Sequence, residues 1–209
     1  GEKARSGGIT GTAVPPSTRF GELFRNMCRI AKEANLEKEY DLTLEATHHG
    51  PVLQAPTLYL EIGSSSEQWE DVRAARVWSE TIALCLGMSE FPSKKDWNGR
   101  GSVMIGLGGG HYAPRHKAVI TESNVWVGHI LANYAIVFEE QVDNTSTPGG
   151  PWAHSVRTVV ESTRSAFPGG DIFAHLDRKS FKGWQRSALV DLLSELGVPV
   201  LRGKQICPP

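Results

Sequence analysis

This sequence predicts an α/β fold: a mixed, largely parallel sheet lying between helices. Segments with apolar residues at helical spacing take turns along the chain with segments that alternate or run apolar. One of the latter, residues 102–107, is apolar on both faces and broken only by Gly106. A strand of that kind is central and covered on both sides.

The elements follow in order. Residues 1–18 are rich in Gly, Ser, Thr and Pro and read as a flexible lead-in, with residues 19–209 as one domain. Over residues 20–34, Leu23, Phe24, Met27, Ile30 and Ala31 recur at helical spacing, and Asn35 can end the helix. Residues 40–47 alternate, Leu42, Leu44 and Ala46 against Thr43, Glu45 and Thr47, which predicts a strand. Residues 57–62 predict a second strand. Three serines at 64–66 offer N-caps to a helix over about 67–86, with the stripe Val72, Ala75, Trp78, Ile82 and Leu86. A polar loop follows over 91–101. Residues 119–138, with Trp126, Gly128, His129 and Tyr134, fit a short helix flanked by strands. A turn-rich linker over 143–151 leads to a helix over 152–167, with Val156, Val159, Val160 and Thr163 inward. Residues 171–176 predict a strand. Residues 181–196 form an amphipathic helix, with Phe181, Trp184, Ala188, Leu192 and Leu196 inward and Gly197 at its C-cap. Residues 198–201 close with a short strand.

At 209 residues, 40% hydrophobic and 22% charged, the chain suffices for one large core or at most two small ones. A net charge of −1 excludes a whole-molecule pull on nucleic acid and leaves only a local patch. No apolar run approaches the roughly 20 residues of a membrane span, and the first residues lack the apolar core of a signal peptide. Cys28, Cys85 and Cys207 are too scattered for a disulfide framework or a CxxC metal site, which fits a reducing, cytoplasmic setting.

Two loops carry the candidate chemistry. Leu44-Glu-Ala-Thr-His-His-Gly-Pro51 ends a short apolar run in adjacent histidines, and Gly106-Leu-Gly-Gly-Gly-His-Tyr-Ala-Pro114 ends the central strand in three glycines and a histidine. If both strands point the same way in one sheet, the loops meet at its carboxyl edge, where open α/β sheets bind ligands. Glu45, on a strand buried on both faces, would need pairing, protonation or a metal; on an edge strand it would simply face water. Strand parity puts Thr47 and His49 on the face of Glu45 and His48 on the other, so the two histidines take different roles. The amides of Gly108, Gly109 and Gly110 suit an anion or oxyanion. The run is neither a phosphate loop nor a dinucleotide fingerprint, and a plain tight turn is the alternative. Glu45, His48, His49 and His111 supply donor types that Zn²⁺ takes. His129, in an apolar setting, reads as a core histidine, while His116, His154 and His175 have no context that singles them out. Arg178, Lys179, Lys182 and Arg186 make a small positive patch near a helix N-terminus, suited to phosphate or simply solvated. No Gly-x-Ser-x-Gly nucleophile motif occurs.

Five motifs occur here in order: Leu-Glu-Ala-Thr-His-His-Gly-Pro, Glu-Ile-Gly-Ser-Ser, Gly-Leu-Gly-Gly-Gly-His-Tyr-Ala-Pro-Arg, Trp-Val-Gly-His and Lys-Ser-Phe-Lys-Gly. In these the chain resembles the type 2 D-aminoacyl-tRNA deacylases of archaea and plants, from about Phe20 to Leu201. The resemblance implies hydrolysis of the ester between a D-amino acid and the 3′ end of tRNA, with D-aminoacyl-tRNA as partner and Zn²⁺ as cofactor. It implies a fold similar to those of peptidyl-tRNA hydrolase and nucleoside phosphorylase. It implicates Glu45, His49, Gly109 and Gly110 in catalysis, and His48, His111 and His129 as metal ligands. Lys179, Lys182 and Arg186 become the expected tRNA contacts. In the implied mechanism a zinc-bound water attacks the ester carbonyl and Glu45 or a non-ligating histidine takes its proton. Family members carry a further segment, with the first strands of the sheet, before the point matching Gly7, and this chain is expected to lack it. The competing readings are a tRNA- or nucleotide-binding module without catalysis and a metal-dependent hydrolase of another substrate.

Overall fold

Ser102–Leu107 (β1) is the strand on which the fold is assembled, with Val103, Met104, Ile105 and Leu107 fully buried. A computed structural model describes residues 9, 11–47, 51–90, 96–140 and 148–207. β1 pairs in parallel with Trp126–Leu131 (β2) on one side and with Asp171–Leu176 (β3) on the other. Val200–Leu201 (β4) adds in parallel to β3, so the order is β2-β1-β3-β4. Among the described residues the sheet is all parallel, where the sequence allowed a mixed one.

Helices cover both faces because the strands are apolar on both. Met104, Val127, Ile130 and Phe173 pack with Phe24, Met27 and Ile30 of Phe20–Glu33 (α1), Val77 of Val72–Cys85 (α3), and Val119 and Ile120 of Pro114–Glu122 (α4). On the opposite face Ile105, Leu107, Ala174 and Leu176 pack with Val156 and Val160 of Trp152–Ala166 (α5) and Leu189 and Leu193 of Gly183–Glu195 (α6). Ser66–Trp69 (α2) and Gly203–Ile206 (α7) are single turns. No helix among the described residues is long and apolar enough to cross a membrane.

The connectivity positions the site. The chain leaves β1 through α4 on one face to reach β2, and leaves β3 through α6 on the other face to reach β4. β1 and β3 are therefore neighbours whose exits diverge. That is a topological switch point, and beyond the carboxyl ends of two such strands lies the crevice where open α/β sheets bind ligands.

Several expectations are corrected. Residues 41–46 and 58–63 are irregular rather than strands, and Thr57 makes only an isolated bridge to Pro16. The alternation in the first segment is real, with Leu44 and Ala46 buried and Glu45 exposed, but it comes from lying along the core with one side outward. The expected helix over 67–86 is two, α2 and α3, because Asp71 caps the second by accepting from the Arg73 N–H. Residues 119–138, expected as a short helix flanked by strands, are instead the end of α4, then β2, then a turn of 3₁₀ helix at Asn133–Ala135. Pro16 lies within the stretch read as flexible lead-in, yet it pairs with Thr57.

Gly128 on β2 lies close against α5: a Cβ there would lie 2.5 Å from Cγ2 of Thr163. Gly128→Ala is expected to lower unfolding stability by about 1–3 kcal/mol through overpacking. Gly183→Ala, whose Cβ would meet only the end of Arg186 at 3.8 Å, should leave stability level or raise it by up to about 1 kcal/mol. Denaturant unfolding of the two variants checks the pair.

Candidate active site

The carboxyl end of β1 turns sharply because two consecutive glycines adopt positive φ, 92° at Gly108 and 81° at Gly109. The space also demands glycine, since a Cβ on Gly108 would lie 2.6 Å from the Phe181 ring. The loop is tied on both sides. The Gly108 N–H donates to the Leu131 carbonyl (2.8 Å) and the Gly109 N–H to the Ser180 hydroxyl (2.7 Å). The Gly109 carbonyl accepts from the Asn133 N–H at 3.0 Å. Two of the three amides expected to face an oxyanion are thus engaged within the fold, and among the described residues the Gly110 N–H has no partner.

Residues 46 and 47 meet the histidine that follows the glycine turn and the end of β2. The Ala46 N–H donates to the His111 carbonyl (2.9 Å), and the Thr47 N–H to the Ile130 carbonyl (2.7 Å). Glu45 Oε1 then lies 2.9 Å from His111 Nε2, with side-chain exposures of 39% and 37%. Glu45 is therefore not a strand carboxylate buried on both faces. A polar contact this exposed contributes at most about 1 kcal/mol to stability. Tyr112 packs edge-on against the His111 ring.

Beside this pair lies a cavity of about 740 Å³, largely apolar on the side of α1 and α3, with Glu45, Thr47, His129 and Tyr112 in its lining. His129 Nδ1 is 3.3 Å from the Thr47 hydroxyl and Nε2 is 3.1 Å from the Ser162 hydroxyl. Burial pushes this histidine down to about 4, so it is neutral near pH 7.

The crevice between β1 and β3 holds groups that the sequence did not single out. Asp177, buried just past β3, accepts from the Lys179 N–H (3.1 Å) and lies 3.4 Å from Arg115 Nε. His175 and His116 are both buried and face each other, Nδ1 to Nδ1 at 2.8 Å, and His116 Nε2 reaches the Gly108 carbonyl at 3.2 Å. The signals were present but faint. Gly106 interrupts an apolar strand because the His116 ring occupies the place of its Cβ, 3.0 Å away. Asp177 sits directly past a strand end. His154, by contrast, only reaches the Gly11 carbonyl.

A family model described as D-aminoacyl-tRNA deacylase matches residues 1–201. The chain belongs to the D-aminoacyl-tRNA deacylase family. It is 44% identical over 208 residues to a D-aminoacyl-tRNA deacylase of Arabidopsis thaliana, covering 96% of this chain and 66% of the relative. A D-aminoacyl-tRNA deacylase of Methanosarcina mazei is 33% identical over 207 residues, 99% of this chain and 59% of the relative. A crystal structure titled as a conserved protein of unknown function superposes with a TM-score of 0.70 at 26% identity, covering 98% of this chain and 63% of that one. This deacylase-family chain thus spans 59% to 66% of the length of the two curated relatives.

Of the expected metal ligands in this deacylase-family chain, His111 stands beside Glu45, while both His129 nitrogens meet hydroxyls. His48 and His49 lie outside the described residues. Glu45 and His111 are donor types that suit zinc, but among the described residues no three His, Cys, Asp or Glu side chains gather to hold a metal ion. Lys179 and Lys182 are exposed beside the crevice, whereas Arg186 spends donors on the carbonyls of Arg178 (3.2 Å) and Phe181 (2.6 Å). Burial raises the thiols of Cys28, Cys85 and Cys207, the wrong direction for a thiolate nucleophile.

The buried histidines set a pH dependence of stability. His116 and His129 are both held at about 4, against an ordinary 6.5, so between those values the unfolded chain binds more protons than the folded one. Their contribution to stability is therefore full above pH 6.5 and is lost on acidification towards pH 4. The expected slope is about 1.4 kcal/mol per pH unit for each histidine. Denaturant unfolding at pH 7, 6 and 5 measures it, and His129→Gln should remove one histidine's share.

Proposed function

We propose that this chain hydrolyses the ester bond of D-aminoacyl-tRNA, releasing the D-amino acid and tRNA. The observation that carries the reading is the Glu45–His111 pair, held by the Ala46–His111 backbone bond against the glycine turn at the carboxyl end of the central strand. Family membership and the names of the relatives support the substrate.

The chemistry follows from these groups. An aminoacyl ester is an activated carbonyl, so the protein needs to position a water, accept its proton and stabilise the oxyanion. The Glu45 carboxylate accepts a hydrogen bond from His111 Nε2 and so orients the ring, which makes the pair a suitable acid–base couple. The glycine turn supplies the oxyanion donor, with Gly109 shaping it and the Gly110 amide facing the substrate. The cavity beside Glu45, polar at that end and apolar beyond, suits the amino acid's side chain. Lys179, Lys182 and the remaining donors of Arg186 suit the phosphates of the acceptor end. His49, the other catalytic residue in this reading, stands two positions after Thr47 in the sequence. Zinc belongs to the same proposal: His48, His111 and His129 would hold it, His129 only by giving up a hydroxyl. A bound zinc would supply a more acidic water. A cytoplasmic location goes with a tRNA substrate.

Incubation with D-tyrosyl-tRNA should release tyrosine, and L-tyrosyl-tRNA should persist. Release from neither, with zinc supplied, rejects the reading. His111→Ala and Glu45→Gln should each lower kcat by about 10²-fold or more, while metal analysis of the purified chain and both variants reads zinc binding separately from turnover.

A further inference from the structure

The buried histidine pair has a defined tautomer. A carbonyl only accepts, so the contact from His116 Nε2 to the Gly108 oxygen (3.2 Å) requires the proton on Nε2. A neutral His116 then has a bare Nδ1, which accepts from an Nδ1–H on His175 at 2.8 Å. Burial holds both rings below the usual histidine range, so both are neutral near pH 7. A one-way chain of donors therefore runs from β3, through α4, into the glycine turn.

The consequence follows from planar trans peptides, in which C=O and N–H point in opposite directions. The Gly108–Gly109 peptide is held at both ends, its carbonyl by His116 and its amide by Ser180. The next peptide is held by its carbonyl alone, which accepts from Asn133 just past β2. The Gly110 N–H must then point away from Asn133, and the space at Gly110 is open, since a Cβ there would meet nothing within 4 Å. The buried Asp177 past β3 is offset by Arg115, at 3.4 Å.

We propose that His116 and His175 are positioning residues for ester hydrolysis: they clamp the glycine turn so that the Gly110 amide is the one preorganised oxyanion donor. This rests on the deacylase reading above and adds to it which amide acts and which buried residues aim it. Neither histidine touches the substrate.

Asparagine presents a donor where histidine has Nδ1, and glutamine presents one where histidine has Nε2. His175→Asn and His116→Gln therefore keep the donors, while His175→Leu and His116→Leu remove them. The test compares kcat and KM for D-tyrosyl-tRNA across the four variants and Gly110→Pro, with unfolding midpoints alongside. The two Leu variants and Gly110→Pro should lower kcat by about 10²-fold with KM nearly unchanged. The Gln and Asn variants should recover most of that loss. Nitrogen NMR of the parent's imidazoles should place the proton of His116 on Nε2 and that of His175 on Nδ1. Folded Leu variants that keep full kcat, Gln and Asn variants that recover nothing, or a His116 proton on Nδ1 would each overturn the proposal. If the Leu variants do not fold, Gly110→Pro and the tautomers decide it. A parent that leaves D-tyrosyl-tRNA intact overturns the deacylase reading itself, whereas the tautomers report on the clamp without any turnover.

Discussion

Everything at the carboxyl edge of this sheet depends on how closely the backbone of residues 106–110 approaches its neighbours. A Cβ on Gly106 would meet the His116 ring at 3.0 Å, and one on Gly108 would meet Phe181 at 2.6 Å. Removing side chains there lets a helix on one face and a loop from the other close on the same turn. The turn then runs its polar groups outward to Leu131, Asn133 and Ser180, so three chain segments converge on five residues.

That convergence links packing to chemistry. The same turn delivers His111 to Glu45 and leaves one amide without a partner among the described residues. Buried groups around it are satisfied in ways that restrict their roles. His129 divides its nitrogens between Thr47 and Ser162. Arg186 ties down two carbonyls at the start of the last long helix. Glu45, Lys179 and Lys182 are exposed, and His111 is partly so beside Glu45. A rigid, internally satisfied frame with a few outward polar groups is what a preorganised site requires.

The parts legible in the sequence were those governed by local pattern. β1 and β3 match their expected residues 102–107 and 171–176, and α1 and α5 match to within a residue at either end. Residues 40–47 misled because alternation reports a one-sided environment, and a segment lying along a core has that environment without pairing in a sheet. The histidines divide by the same principle. His111 follows three glycines and declares itself, whereas His116 and His175 are 59 residues apart and acquire meaning only when α4 lays one over β1 beside the other.

By itself the sequence determined the layering, the central strand and the glycine turn that ends it, because apolar periodicity and glycine content act over a few residues. The five ordered motifs also carried the family. Tertiary structure alone decided that Glu45 faces outward to His111, that His129 has both nitrogens occupied, and that Asp177 and Arg115 border the crevice. It also decided that, of the three glycine amides, that of Gly110 is the one with no partner among the described residues. Those facts depend on distances between segments far apart in the chain, which are set by the register of parallel strands and the helices packed across them.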